Sequence, residues 1–263
     1  MSTIINTPDF FYAYKEFYGK PKITYYHYHN TCEIYFLVEG QCEFFLNDKT
    51  YLITENTILF IPSEYVHKNL YNFGDCKRIV INMSDTFLNP NIMPSVNKIF
   101  EQQIFVPEDY AYVKRLLMSI GAEYNRKDFL SVELIKAYLV ELFAYFARTK
   151  SPGSIITTSN PSIERLIKHI NTNFNQQISL ENVAKMLNLT PPYLSRLFLK
   201  TTGFNFKEYL LTIRIKNAKH MLKNTNKSIR QVAYDCGFND SNYFSKVFKE
   251  VVGISPLQYK RQD

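Results

Sequence analysis

The sequence predicts an α+β chain of two domains, a β-rich N-terminal domain with two bridging helices and an all-α C-terminal domain. Three observations predict it. Strand-length apolar runs separated by turn residues fill the stretch Cys32–Leu70, the pattern of a sandwich or barrel. After Pro107 the apolar residues recur at helical spacing instead. The excess of positive charge is confined to the C-terminal part. Residues 160–263 hold 16 Lys+Arg and 7 Asp+Glu, a balance of +9, whereas residues 1–159 hold 15 and 17, a balance of −2.

A chain of 263 residues is long enough for two domains that each bury a core, and 46% hydrophobic with 21% charged residues is ordinary for a soluble globular protein. The opening MSTIINTPDFFYAYKE lacks a basic segment followed by a long apolar run, so no signal peptide is expected. No apolar stretch approaches the ~20 residues that span a bilayer. Cys32, Cys42, Cys76 and Cys236 show no close pairing, so reduced thiols in a cytoplasmic protein are expected. Cys32 and Cys42 could meet on neighbouring strands as a thiol sensor, although core cysteines are far commoner.

In the N-terminal part, CEIYFLVEGQCEFFLNDKTYLITENTILFIPSEYVHKNL breaks at Glu-Gly, Asn-Asp-Lys and Pro-Ser, with Asn47-Asp48 as a hairpin turn. Cys76–Ser84 is a further expected strand. Tyr110, Val113, Leu116, Leu117 and Ile120, then Leu134, Ala137, Tyr138, Leu142 and Phe146, mark two amphipathic helices. Their apolar faces can pack on the barrel or form a dimer interface, and the sequence leaves both open. Thr149–Asn160 mixes Pro, Gly, Ser and Thr as a linker does. The expected boundaries are therefore 1–106 for the β domain, 107–148 for the helical bridge, 149–160 for the linker and 161–263 for the helical domain.

Within the helical domain Asn160 can cap a helix that starts at Pro161 and buries Ile163, Leu166, Ile167 and Ile170. Ser179 can cap the next. A single grammar then occurs twice. In QVAYDCGFNDSNYFSKVFKE, small Ala233 allows close helix approach, Gly237 four residues later supplies a turn, and Phe244, Val247, Phe248 and Val251 anchor a second helix. In LENVAKMLNLTPPYLSRLFLKTTGF the same places are taken by Ala184, Asn188, and Leu194, Leu197 and Phe198, and Asn tolerates the left-handed conformation. The segment FKEYLLTIRIKNAKHMLKN can form one long helix between the units. Two helix-turn-helix units held at fixed separation suit successive major grooves on one DNA face, and the charge asymmetry suggests a polyanionic partner for this domain.

Over about its last hundred residues the chain resembles the AraC/XylS family of bacterial transcription regulators. The resemblance is carried by SIRQVAYDCGFNDSNYFSKVFKEVVGISPLQYKR, with its A-x-x-x-G-F, Y-F-S-x-x-F-K and G-x-S-P-x-x-Y-[KR] patterns. The first unit matches through Ala184, Leu194, Ser195, Arg196, Phe198, Lys200 and Gly203. The resemblance implies that Pro192, Tyr193, Ser195 and Arg196, and Ser241, Asn242, Ser245 and Lys246, read bases. Arg196 is the strongest of these, because a bidentate Arg–guanine pair gives ~1–3 kcal/mol of discrimination. Lys200 and Lys249 are assigned to phosphates.

In HYHNTCEIYFLVEG, His27, His29 and Glu33 alternate onto one side of a strand. With IPSEYVH ending at His67, the pattern H-x-H-x3-E-x6-G followed by P-x4-H resembles the cupin motifs. In metal-binding cupins those four positions hold a divalent ion. This chain departs from the motifs at Pro21, Asn56 and Glu64, where glycines are usual. Regulators of the resembled family commonly use such a cupin-like barrel as an effector pocket. Tyr25, His27, His29, Glu33, Tyr35 and His67 are accordingly expected to line a pocket for a small polar effector, with a sugar as one candidate, and no metal or other cofactor is expected.

The function expected is a cytoplasmic, homodimeric, DNA-binding transcription regulator, not an enzyme, with RNA polymerase as a partner implied by the family. Two rivals make different predictions. A metal-dependent cupin enzyme fused to a DNA-binding domain would show stoichiometric metal and turnover. A constitutive DNA-binding protein whose barrel only dimerises would bind no ligand.

Overall fold

A strand segment that is apolar at every position needs burial on both faces, and IYFLV, residues 34–38, is buried throughout in a computed structural model of the chain. The structure describes residues 9–18, 31–70, 73–149, 156–158 and 160–261, and the chain divides into two units, 1–158 and 159–263. The first contains β1 (Phe10–Phe17), β2 (Cys32–Glu39), β3 (Gln41–Leu46), β4 (Lys49–Thr54), β5 (Ile58–Ile61), β6 (His67–Leu70), β7 (Cys76–Met83), α1 (Met93–Gln102), β8 (Ile104–Phe105), α2 (Tyr110–Arg126), α3 (Ser131–Arg148) and β9 (Ile156–Thr157). The strands form two antiparallel sheets, in the orders β1-β7-β2-β5-β8 and β6-β3-β4-β9.

One face of the five-stranded sheet, with Tyr35, Leu37, Leu59 and Ile61, shares a core with Phe44, Leu46 and Ile53 of the other sheet. The opposite face, with Ile34, Phe36, Phe60, Ile79 and Ile81, packs against Val113, Leu117, Leu139, Phe143 and Phe146 of α2 and α3. The bridging helices thus cover the barrel. On α3 the buried face is Ile135, Leu139, Leu142, Phe143 and Phe146, while the expected Leu134 and Tyr138 are half-buried and Ala137 is exposed. Glu133, Lys136 and Glu141 mark the opposite side of the helix, but apolar residues extend beyond the buried face and blur its edges.

Turn residues follow their conformations. Asn47 opens the β3–β4 hairpin at φ 59°, as expected of Asn47-Asp48. Gly40 has φ 90°, and a Cβ there would strike the Asp75 carbonyl. Asn56 and Glu64, where the motif usually has glycine, keep left-handed φ values of 65° and 66°, so the bends persist at a cost that glycine would avoid. Several elements were not anticipated, β1, α1 and β9 among them. β1 alternates clearly only at Phe10–Tyr12 but pairs with β7 along its whole length. α1 follows a 3-10 turn and contains Pro94, which reads as a breaker yet is tolerated in a first helical turn. β9, inside the expected linker, pairs with β4.

The second unit holds α4 (Pro161–Asn173), α5 (Leu180–Met186), α6 (Pro191–Thr202), α7 (Phe206–Asn224), α8 (Ile229–Asp235), α9 (Ser241–Val252) and α10 (Pro256–Arg261). Asn160 caps α4, accepting from the Ser162 and Ile163 amides at 2.9 and 3.4 Å, and Ser179 caps α5, accepting from Asn182 at 3.2 Å. Glu208 accepts from the Asn205 amide at 3.0 Å and so fixes the entry to α7.

Phe60 is the hub between sheet and helices, with ring centroids 5.0–5.8 Å from those of Phe100, Phe105, Phe143 and Phe146. Phe60→Ala is expected to destabilise the first unit by about 3–5 kcal/mol, measured by urea unfolding. A loss under about 1 kcal/mol would mean that the aromatic cluster repacks around the void.

Candidate nucleic-acid interface and barrel cavity

The two helix-turn-helix units are α5–α6 and α8–α9. Ala184 and Ala233 are fully buried where the helices of each pair meet, beside buried Val183 and Val232. Leu194 and Phe198 anchor α6, and Phe244 and Phe248 anchor α9. Both helices end on a left-handed glycine, Gly203 and Gly253. From their first residues the two helices run through the same sequence of exposures: half-buried, exposed, exposed, buried, half-buried, exposed.

That correspondence pairs Pro192 with Asn242, Tyr193 with Tyr243, Ser195 with Ser245, and Arg196 with Lys246. All eight expected base-reading positions lie in the first two turns, with Pro192, Tyr193, Arg196, Asn242 and Lys246 exposed and Ser195, Ser241 and Ser245 half-buried. The correspondence adds Tyr243, 56% exposed, as the counterpart of Tyr193 at 48%. Sequence reasoning missed it, although the shared Tyr-x-Ser-Arg/Lys spacing contains the signal. Ser245 Oγ donates to the Ser241 carbonyl at 2.8 Å, which leaves its lone pairs outward. Lys200 and Lys249 are both exposed but are not counterparts, since Lys200 matches Glu250 and Lys249 matches Leu199.

The two turns share a conformation but not surroundings. Asn188 (φ 54°) is exposed. Gly237 (φ 81°) lies under the α4–α5 loop, where a Cβ would come within 2.8 Å of the Phe174 carbonyl oxygen, 2.9 Å of the Asn175 carbonyl oxygen and 2.9 Å of an Arg214 guanidinium nitrogen. Arg214, on α7, donates to the Phe174 and Gln176 carbonyls at 2.8 Å each and sits 5.8 Å from the Phe238 ring centroid. Gln177 donates to Asn239 Oδ1 at 2.9 Å. The loop that precedes the first unit is therefore clamped to the turn of the second.

In the first unit the expected pocket residues separate. Glu33 and His67 line a cavity of about 200 Å³. Glu33 accepts from Asn82 Nδ2 at 3.0 Å, and its Oε2 lies 3.7 Å from His67 Nε2. His67 Nδ1 is 2.8 Å from the Tyr65 carbonyl oxygen, and its ring stacks on Phe44 at 6.0 Å. Tyr35 is fully buried in the apolar core below, 3.5 Å from Cys42 Sγ through its hydroxyl, and does not line the cavity. Tyr25, His27 and His29 lie outside the described residues. Sequence reasoning missed Lys15, Arg78 and Asn82, which also line the cavity. Arg78 and Asn82 stand two steps either side of Val80 on β7, so polar residues on one face of an apolar strand were the available signal.

Cys32 and Cys42 do not meet as a pair, and the commoner reading of core cysteines holds for Cys42. Cys42 belongs to the core between the sheets, whereas Cys32 packs at the margin of the helix-facing core and donates to Asp85 at 3.2 Å. Burial pushes both thiols up to about 12, with the Asp85 bond adding to the effect at Cys32. Both shifts favour the thiol over the more reactive thiolate.

A barrel that encloses a polar cavity, joined in one chain to paired helix-turn-helix units in a basic domain, defines a ligand-binding transcription regulator. Comparison with known proteins agrees. The family model "AraC-like ligand binding domain" matches residues 14–142, and "Helix-turn-helix domain" matches residues 183–262. The chain is similar to the HTH-type transcriptional activator RhaR of Mannheimia succiniciproducens, 24% identical over 242 residues, covering 89% of this chain and 86% of that protein. It is also similar to the HTH-type transcriptional regulator YijO of Escherichia coli, 38% identical over 113 residues, 42% of this chain and 40% of that one. Among solved structures it is similar to the C-terminal domain of AraT, a response regulator from Geobacillus stearothermophilus, at 37% identity and TM-score 0.38 over 39% of this chain and 85% of that one. The chain belongs to the AraC family of transcription regulators. Among the described residues no helix is long and apolar enough to cross a membrane.

Gly237→Ala is expected to destabilise the second unit by about 2 kcal/mol or more, because the left-handed conformation costs ~1–2 kcal/mol and two carbonyls must also move. Asn188→Gly, on the open turn, is expected to change stability by less than about 0.5 kcal/mol. Urea unfolding of both variants checks the contrast, and equal effects would refute the clamp.

Proposed function

We propose that the protein is a cytoplasmic, homodimeric transcription activator that reads double-stranded DNA with α6 and α9 and is controlled by a small polar effector in the barrel cavity. The observation that carries the DNA half is the matching exposure of the first two turns of α6 and α9, within the part of the chain that holds the +9 balance. Arg196 and Lys246 donate to base edges, Tyr193, Tyr243 and Pro192 supply apolar contacts such as to thymine methyls, and Ser195, Ser241, Asn242 and Ser245 complete the readout. Lys200 and Lys249 hold phosphates. Activation and contact with RNA polymerase extend to this chain what the name of the RhaR relatives and the family resemblance suggest.

In the barrel, Glu33, Asn82 and His67 offer the paired donors and acceptors that a hydroxylated effector needs. The cavity serves binding rather than turnover, in keeping with relatives that are regulators. An effector changes activity only by binding two conformations with different affinity. The exposed side of α2 and α3, with Met118 at 45% and Val140 at 41% exposure, supports dimerisation there.

With operator DNA, Arg196→Ala is expected to flatten discrimination at one base position by about 1–3 kcal/mol. Lys200→Ala is expected to weaken all sequences alike and lower the salt slope by about 1. Fluorescence anisotropy over a set of single-base operator variants measures both, and identical behaviour would end the division between readers and positioners. Sedimentation equilibrium of the full chain at micromolar concentration is expected to give twice the chain mass, and a monomer would remove dimerisation.

A further inference from the structure

The charges around the barrel cavity do not balance. Among the described residues that line it, Lys15, Lys68 and Arg78 face one carboxylate, Glu33, which accepts from Asn82 at 3.0 Å and lies 3.7 Å from His67. Lys15 on β1 and Arg78 on β7 are direct cross-strand partners. Like charges placed directly opposite destabilise a sheet, and here both side chains reach one cavity. Arg78 is 8% exposed, and its guanidinium carbon lies 4.7 Å from the Phe17 ring centroid and 5.5 Å from that of Tyr35. The two rings restrain the guanidinium by cation–π contact, and a guanidinium matches a carboxylate or phosphate in bidentate fashion. Lys15 stands at the exposed rim. Partial burial, then the charge of Arg78, lowers its affinity for a proton, with Glu33 opposing. The repulsion between the two cations is thus felt at the cavity mouth.

We infer that the cavity takes a small organic anion, with its carboxylate or phosphate between Arg78 and Lys15 and its hydroxyls on Glu33, Asn82 and His67. The cavity volume of about 200 Å³ is below the range of drug-sized sites, which limits the ligand to a metabolite the size of a single acidic sugar. The inference rests on the cavity being the effector site. It replaces a neutral effector with a charged one, because a neutral sugar would leave the Lys15–Arg78 repulsion in place.

Thermal melting of the full-length chain tests this with glucose, glucuronate, glucose 6-phosphate and inorganic phosphate at fixed ionic strength. Glucuronate or glucose 6-phosphate is expected to raise Tm by about 3 °C or more at concentrations well above its Kd, with no shift from equimolar glucose. The two arms distinguish a carboxylate from a phosphate headgroup, and inorganic phosphate shows whether the headgroup suffices alone. The shift is expected to vanish in Arg78→Met and in Lys15→Met, and the rim variant keeps the test decisive if Arg78→Met fails to fold. If glucose matches glucuronate and both shifts are lost in Glu33→Gln, the cavity stands as the effector site and the anion is overturned. An anion shift that persists in both cation variants comes from elsewhere on this basic protein and overturns the proposal. No shift from any of the anions also overturns the proposal.

Discussion

Burial of the five-stranded sheet on both faces is the constraint on which the N-terminal unit depends. Each central strand must send one set of side chains into the helical layer and the alternate set toward the second sheet. On β2 these are Ile34, Phe36 and Val38 against Glu33, Tyr35 and Leu37. On β7 they are Ile79, Ile81 and Met83 against Arg78, Val80 and Asn82. The helical layer is a requirement of this arrangement, since without α2 and α3 an entire apolar face would meet water. The inner face, by contrast, turns from apolar at Tyr35, Leu37 and Val80 to polar at Glu33, Arg78 and Asn82, and the cavity lies where it changes.

The second unit is organised around α7, which serves both helix-turn-helix units. Its first half meets α6 through the Phe198–Tyr209 and Phe198–Phe206 ring pairs, with centroids 5.5 and 6.2 Å apart. Its second half gives Ile215, Ala218 and Leu222 to the core of α8 and α9. Arg214 lies between these halves and ties the α4–α5 loop to the second turn. A continuous helix with a core at each end fixes the separation of α6 and α9, and the arginine clamp adds a restraint independent of either core. This explains why the first turn accepts Asn188 whereas the second has glycine. The conformation is common to both, but only the second turn lies beneath another segment.

Much of this was legible because the period of the sequence reports burial. The double helix-turn-helix grammar was readable from Ala184, Asn188, Ala233 and Gly237, since close approach and a left-handed turn admit few residue types. The two bridging helices were readable as elements, but the face of α3 was legible only in part, because Ala137, Val140 and Ala144 interrupt the polar side marked by Glu133, Lys136 and Glu141. α1 and β1 were hidden for opposite reasons. Pro94 imitates a break, and the tail of β1, Tyr14–Glu16, is exposed on both faces despite its pairing. In the cavity, Glu33 and His67 were found through a motif, whereas Lys15 and Arg78 belong to no motif. They become neighbours only through the register of β1 on β7, and strand pairing between segments 60 residues apart cannot be read from either segment.

The cavity also differs from the rest of the barrel in what it contributes to folding. Placing a guanidinium and a carboxylate in the interior carries a desolvation penalty that hydrogen bonds and ring contacts only offset, and apolar residues of similar volume are often as stable or more so. The same sheet fills equivalent inward positions with Tyr35, Leu37 and Leu59, so nothing in its architecture requires charge at 33 and 78. A cationic pair placed in direct register is a further cost. Where local choices oppose stability within an otherwise consistent fold, function is the usual compensation. The matching concession in the second unit is the solvent-facing pair Tyr193 and Tyr243, large aromatic side chains that contribute little to the core beneath them. Each unit thus departs from the demands of its own folding at the place where a partner of opposite charge, small in the first and polymeric in the second, would restore the balance.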